Sequence, residues 1–178
     1  MNFRYAIGLG SNRPHGRYGA PATVLAAACH AMEAAGLCII SLSKVAQTKP
    51  MGPSHRRFAN AAALVETCLT PPALLSLLKS IERSFGRRGG QRWGPRVLDL
   101  DILLWSEGRW VRRQLAIPHV GLTVRRFALD PLAAVAGDWR IGGGTRVRHH
   151  AARLTRPRPV HRSVAGRVRS SVGRASDF

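Results

Sequence analysis

Apolar positions along the chain switch between a two-residue and a roughly 3.6-residue period, and each switch marks a predicted element. Phe3 to Gly10 alternates as a strand and runs into Gly8-Leu9-Gly10-Ser11-Asn12, a turn-forming cluster. Pro21 to Ala35 is Ala-rich and helical, with Pro21 suited to the first turn and Gly36 to the stop. Ile39 to Lys49 and Phe58 to Thr67 follow as two strands, joined by a loop that contains Pro50, Gly52 and Pro53. Thr70-Pro71-Pro72 opens a helix to about Phe85, with Leu74, Leu75, Leu77, Leu78 and Ile81 on one broad face. A basic loop, Gly86 to Arg96, leads into a strand from Val97 to Trp105. The order β-α-β-β-α-β predicts an α/β (α+β) fold of ferredoxin-like type, an antiparallel sheet with two helices packed on one face. Such a scaffold hosts many unrelated activities and licenses none by itself. Beyond it, Trp110 and Ile117 flank short strand or loop segments, Phe127 to Val135 forms a short helix, and an amphipathic piece runs from Thr145 to Leu154.

Composition narrows the class. The 178 residues suit one domain, and 45% hydrophobic content supports a folded core. No apolar run approaches the ~18 residues of a membrane span, and Met1-Asn2-Phe3-Arg4-Tyr5 lacks the apolar stretch of a signal peptide, so a soluble, cytoplasmic protein is expected. Cys29, Cys38 and Cys68 form no CxxC pair and read as inert thiols. With 28 Lys+Arg against 9 Asp+Glu the net charge is +19, of which +8 falls in residues 142–178. This surplus favours anionic partners, either nucleic acid or phosphorylated small molecules.

Chemistry concentrates in Arg92-Trp93-Gly94-Pro95-Arg96-Val97-Leu98-Asp99-Leu100-Asp101-Ile102-Leu103-Leu104. Alternation in a strand puts Asp99 and Asp101 on one face, with Leu98, Leu100, Ile102 and Leu104 on the other. Two carboxylates at i, i+2 lie ~6.5–7 Å apart at Cα, close enough to hold two hard cations side by side. Two solvated acids on a wet face would look the same in isolation. Val97, Leu103 and Trp105, expected on the same face, argue against a wet surface, and Arg87, Arg88, Arg92 and Arg96 stand where phosphate charge would need neutralising. Carboxylates for metal beside guanidiniums for phosphate suggest phosphoryl-type transfer. Gly8-Leu9-Gly10-Ser11-Asn12-Arg13 fails G-x-G-x-x-G at its last position and no P-loop motif occurs, so the glycines near residue 10 read as a turn only.

Arg92-Trp93-Gly94-Pro95-Arg96 followed by Leu98-Asp99-Leu100-Asp101 resembles the signature of the 6-hydroxymethyl-7,8-dihydropterin pyrophosphokinase family. Ala6-Ile7-Gly8-Leu9-Gly10-Ser11-Asn12, Thr48-Lys49-Pro50-Met51-Gly52-Pro53, Phe58-Ala59-Asn60-Ala61, Pro118-His119 and Arg125-Arg126-Phe127 fall in the family's order, and the resemblance covers roughly residues 4–156. It implies transfer of the β,γ-diphosphate of ATP to the hydroxymethyl group of the pterin, with release of AMP, in folate biosynthesis. By the same resemblance Asp99 and Asp101 hold two Mg²⁺ ions, and Arg92 and Arg96 act on the phosphates. Glu82, Arg87, Arg88, Trp93, His119 and Arg125 form the ATP environment. Phe58 and Phe127 sandwich the pterin, while Asn60 and the backbone near Thr48 and Met51 read its edge.

The domain is expected to span residues 1–156, followed by a basic, disordered tail over 157–178 that lacks apolar periodicity. A monomer is expected, touching nucleic acid only non-specifically through that tail. The competing class is a basic nucleic-acid-binding module on the same scaffold, motivated by the +19 charge, but the aromatic strand motif of RNA-binding members is missing.

Overall fold

The structure, a computed structural model, describes residues 1–48, 58–86 and 96–155. Strand β1 (Phe3–Ser11) leads to helix α1 (Pro21–Ala34), strands β2 (Cys38–Leu42), β3 (Ala46–Thr48) and β4 (Phe58–Thr67), helix α2 (Pro71–Ser84) and strand β5 (Asp99–Trp105). A hairpin of β6 (Trp110–Arg112) and β7 (Leu115–Ile117), then helices α3 (Arg126–Ala136) and α4 (Val147–Thr155), complete the described chain. The main sheet runs β2-β4-β1-β5, every neighbouring pair antiparallel, with β3 also on β4.

Alternation sorts the strand side chains onto two cores. Tyr5, Ile7 and Leu9 of β1, Ala61, Ala63 and Val65 of β4, and Leu100 and Ile102 of β5 pack with Val24, Leu25, Ala28 and Met32 of α1 and Leu74, Leu78 and Ile81 of α2. Helix α1 ends as its sequence requires: Gly36 takes φ +87°, its N–H donates to Glu33 O, and the Leu37 N–H reaches back to Met32 O at 3.1 Å. That pairing satisfies the last carbonyls and folds Leu37 into the core at 3% exposure.

The two helices α1 and α2 share one face as expected, and the other face of the sheet is covered as well. Ala6, Ala62, Leu103 and Leu104 form a second core with Leu129, Leu132 and Ala136 of α3, against which Val147 and Ala151 of α4 close. The apolar stripes of 127–135 and 145–154 therefore serve as a third layer.

Two strands also depart from the expected pattern. The single strand 39–49 divides into β2 and β3 at Ser43, whose N–H donates to Ala62 O while its Oγ accepts the Ala62 N–H at 3.0 Å. A side-chain oxygen thus replaces a backbone acceptor, and the chain can jog without stranding a buried donor. In β5 the register against β1 slips between Ala6, opposite Leu104, and Ile7, opposite Ile102, leaving Leu103 as an extra residue. Leu103 and Leu104 both enter the α3 core, and Trp105 is turned to the opposite face, where it stacks on Tyr5 at 6.1 Å. Of Val97, Leu103 and Trp105, only Leu103 shares the face of the aspartates, since Val97 also packs on the α1–α2 core.

Candidate active site

The site begins in the middle of the sheet. Gly10 of β1 pairs with Asn60 of β4 on one side and Asp99 of β5 on the other, and Gly8 pairs likewise with Ala62 and Asp101. In an antiparallel ladder directly opposed residues point the same way, so Asn60, Asp99 and Asp101 rise from one face around a strip with no side chains. Gly8 and Gly10 lie inside β1, and neither has a positive φ. The reading of this cluster as a turn is therefore corrected: the glycines are the floor. A Cβ on Gly10 would come 3.7 Å from Asn60 Oδ1 and 3.9 Å from Asp99 Cβ, while one on Gly8 would press to 3.1 Å of Leu103 Cδ1.

The carboxylates sit in different electrostatic surroundings. Arg96 Nη1 lies 2.7 Å from both oxygens of Asp99. Arg96 itself is held by Asn12, whose Oδ1 accepts the Arg96 N–H at 2.7 Å and whose own N–H donates to Arg96 O at 3.1 Å. The Asp101 carboxyl is held above the usual range, first by burial and then by the neighbouring charge of Asp99, with a smaller push from Glu82; Lys79 and His119 act in the opposite direction. His119 reaches this neighbourhood because its N–H donates to Leu103 O, the bulged residue of β5, at 3.0 Å.

Several other expected residues are located by the fold. Glu82 is fully buried on α2, where its Oε1 accepts the Leu100 N–H at 2.7 Å and Lys79 Nζ at 2.8 Å. Phe58 precedes Asn60 by two positions on β4, pairs with Thr48, and lines a cavity of about 480 Å³ with Asn12, Arg13, Pro14 and Gln47. Neither aspartate lines that cavity, which lies against the start of α1. Phe127 stands half-buried in the first turn of α3, the helix on the same sheet face as Asn60, and Arg125, two residues earlier, is the N-cap of that helix. Met51, Arg87, Arg88, Arg92 and Trp93 lie outside the described residues.

Asn12, Lys79, Gly8 and Gly10 belong to the site although nothing in the sequence pattern gives them a chemical role. Lys79 carried one usable signal: it is among only three lysines in a chain with 25 arginines, three residues before an acid on the same helix.

Among the described residues no group of three His, Cys, Asp or Glu forms a metal cage. Two adjacent carboxylates still suit magnesium, which is commonly bound through one or two protein carboxylates with phosphate and water oxygens completing its shell.

The model of the 7,8-dihydro-6-hydroxymethylpterin-pyrophosphokinase family matches residues 6–137, spanning the glycine floor, Asn60, the aspartates and α3. The chain belongs to this family. It is 39% identical over 153 residues to the 2-amino-4-hydroxy-6-hydroxymethyldihydropteridine pyrophosphokinase of Methylorubrum extorquens, covering 85% of this chain and 93% of the relative. The enzyme of the same name from Pseudomonas aeruginosa is 41% identical over 107 residues, 60% of this chain and 66% of the relative. The fold matches that of the solved Plasmodium falciparum HPPK-DHPS with a TM-score of 0.69 at 14% identity, over 86% of this chain and 41% of that one. Membership in this pyrophosphokinase family leaves the nucleic-acid-binding alternative without support. No helix among the described residues is long and apolar enough to cross a membrane.

Proposed function

We propose that the chain transfers the β,γ-diphosphate of ATP to the hydroxyl of 6-hydroxymethyl-7,8-dihydropterin, releasing AMP, and that the sheet face around Gly10 is where it does so. The observation that carries this reading is the row Asn60–Gly10–Asp99: an amide for a heterocycle edge, a flat floor, and a carboxylate pair for metal, set side by side by strand register. The strand order β2-β4-β1-β5 supports the ferredoxin-like reading of the core, since each β-α-β unit brackets one antiparallel strand.

The chain's own groups divide the work. Asn60, buried at 7% exposure, offers both a donor and an acceptor to the pterin amide edge, and its burial restricts the amide plane. Phe58 and Phe127 supply the stacking faces, with the backbone around Thr48 and Met51 at the ring edge. Asp99 and Asp101 hold two Mg²⁺ ions, which when bound neutralise the phosphate oxygens and favour ionisation of the attacking hydroxyl. Arg96, released from Asp99, gives a planar pair of donors to the phosphates, joined by Arg87, Arg88 and Arg92. Trp93, His119 and Arg125 complete the nucleotide's surroundings, and Glu82 acts from beneath by fixing Leu100. Phosphoryl-type transfer asks for alignment and charge neutralisation and needs no covalent nucleophile.

The catalytic unit occupies residues 1–156 as a cytoplasmic monomer, and residues 157–178 are a basic appendage whose nucleic-acid contacts are non-specific. Incubation with ATP, Mg²⁺ and hydroxymethyldihydropterin tests the reading: AMP formed in step with pterin consumed is expected, and ADP as the nucleotide product, or no pterin-dependent turnover, would reject it.

A further inference from the structure

Among the described residues strand β5 is the edge of the main sheet, and the outward N–H and C=O of Leu100 meet no further strand there. Leu100 is also the residue between the two aspartates. Helix α2 covers this gap with a pair of side chains one turn apart. Glu82 Oε1 accepts the Leu100 N–H at 2.7 Å, and Lys79 Nζ donates to Leu100 O at 3.2 Å and to Glu82 Oε1 at 2.8 Å. The pair substitutes for a neighbouring strand at one residue.

The clamp fixes the ammonium of Lys79 in space, and from that position it lies 3.9 Å from Asp101 Oδ1. On the other carboxylate Arg96 Nη1 stands at 2.7 Å. Each of the two acids thus has a cation of the chain's own against it. The cations differ in tether: Arg96 sits on the chain just before β5, whereas Lys79 is anchored to a buried carboxylate and a strand carbonyl.

We propose that Lys79 is a built-in counter-ion for Asp101, which weakens divalent-metal binding to the protein alone and makes it depend on nucleotide. The proposal rests on the reading of Asp99 and Asp101 as metal ligands. Its logic is charge balance. Among the described residues in this cluster, Asp99, Asp101 and Glu82 together carry one formal charge more than Lys79 and Arg96 offset, which is too little to hold two divalent ions by themselves. A triphosphate brings four negative charges, enough to balance two such ions with the ammonium still in place. Metal and nucleotide should therefore bind as a unit.

Mn²⁺ binding to the full chain, read from loss of the free-ion electron paramagnetic resonance signal, tests this with Lys79→Gln, Lys79→Met, Lys79→Arg and Asp101→Asn. Glutamine can still donate to Leu100 O while losing the charge, and methionine loses both. Without nucleotide, both neutral variants should bind Mn²⁺ about tenfold more tightly than the parent, the change a unit charge a few Å from a divalent ion makes even in a water-like dielectric. Lys79→Arg should stay within about threefold of the parent. With a non-hydrolysable ATP analogue present, the gain should vanish or change sign, because the same ammonium then faces phosphate. Neutral variants that bind Mn²⁺ no more tightly than the parent, while Asp101→Asn loses binding, would overturn the counter-ion role and leave the metal site standing. Asp101→Asn binding as well as the parent would instead overturn the metal assignment, and the counter-ion proposal with it. A purely structural Lys79 would lower the melting temperature in Lys79→Met without tightening metal binding in either variant.

Discussion

Adding one methyl group at Gly10 separates the floor of the site from the fold that carries it. The backbone there is ordinary strand without positive φ, so alanine is conformationally allowed. Its Cβ would meet Asn60 Oδ1 at 3.7 Å and Asp99 Cβ at 3.9 Å, both normal van der Waals distances. Gly10→Ala should therefore leave stability unchanged or raise it by about 0.4–1 kcal/mol, through the reduced freedom of the unfolded chain. The same methyl stands where a flat heterocycle would lie between the amide and the carboxylates. Lifting the substrate by an ångström or more should cost roughly a hundredfold in kcat/KM for the pterin. Gly8→Ala provides the contrast, because its Cβ falls 3.1 Å from Leu103 Cδ1 and 3.3 Å from Leu103 Cγ, inside the α3 core. Overpacking there should cost about 1–2 kcal/mol and lower the melting temperature. Thermal melts and AMP release against pterin concentration measure both effects. A Gly10→Ala protein that keeps kcat/KM within a few-fold of the parent would show that substrate does not rest on β1.

Asp99→Asn and Asp101→Asn should each fold normally and lower turnover by about a thousandfold at saturating Mg²⁺; near-normal turnover in either would remove that acid from the metal site. Asn60→Ala and Phe127→Ala should chiefly weaken pterin binding and Arg96→Ala chiefly the nucleotide, measured by separate titrations with pterin and with an ATP analogue; equal losses for both ligands in all three would reject the division. Burial, and secondarily the charge of Glu107, push the Tyr5 phenol up to about 12, and its hydroxyl donates to Leu69 O at 2.8 Å. Because the folded protein keeps this proton after the unfolded chain has lost it near pH 10, the stabilisation is complete below pH 10 and is lost as pH rises toward 12. Alkaline unfolding followed by tyrosinate absorbance should show that loss in the parent and a shallower one in Tyr5→Phe.

What was legible in the sequence divides along physical lines. Periodicity located α1, α2, β4 and the pair Asp99–Asp101, because those segments obey a single period throughout and are bounded by Pro21, Gly36 and Pro71. It failed where one residue breaks the period. The division at Ser43 depends on a hydroxyl standing in for a backbone acceptor, which no pattern of apolar positions encodes. By propensity Gly8 and Gly10 mark a turn, because glycine weakens strands; here the lost strand propensity is outweighed by a β1 backbone paired on both sides. The bilateral cover of the sheet was missed for a different reason: the stripes on 127–135 and 145–154 were visible, but periodicity does not say which face a later helix returns to.

The bulge at Leu103 shows why the site and the core can share one short strand. From Asp99 to Leu103 the odd-numbered positions of β5 point toward the Asn60 face. An uninterrupted alternation would carry Trp105 onto that face and send Leu104 to the other. The extra residue reverses both. Leu104 drops into the small space beside Ala6 and Ala62, where α3 packs closely, and Trp105 joins Phe3, Tyr5 and Trp110 on the side that can accommodate large rings. The same bulged residue offers its carbonyl to the His119 N–H, tying the segment before α3 to the strand of the aspartates. Bulges are suited to such a division of labour because they change side-chain parity at the cost of one unpaired position. In β5 the change falls two residues after Asp101, so the polar half of the strand borders the glycine floor while the apolar half meets the packing needs of both cores.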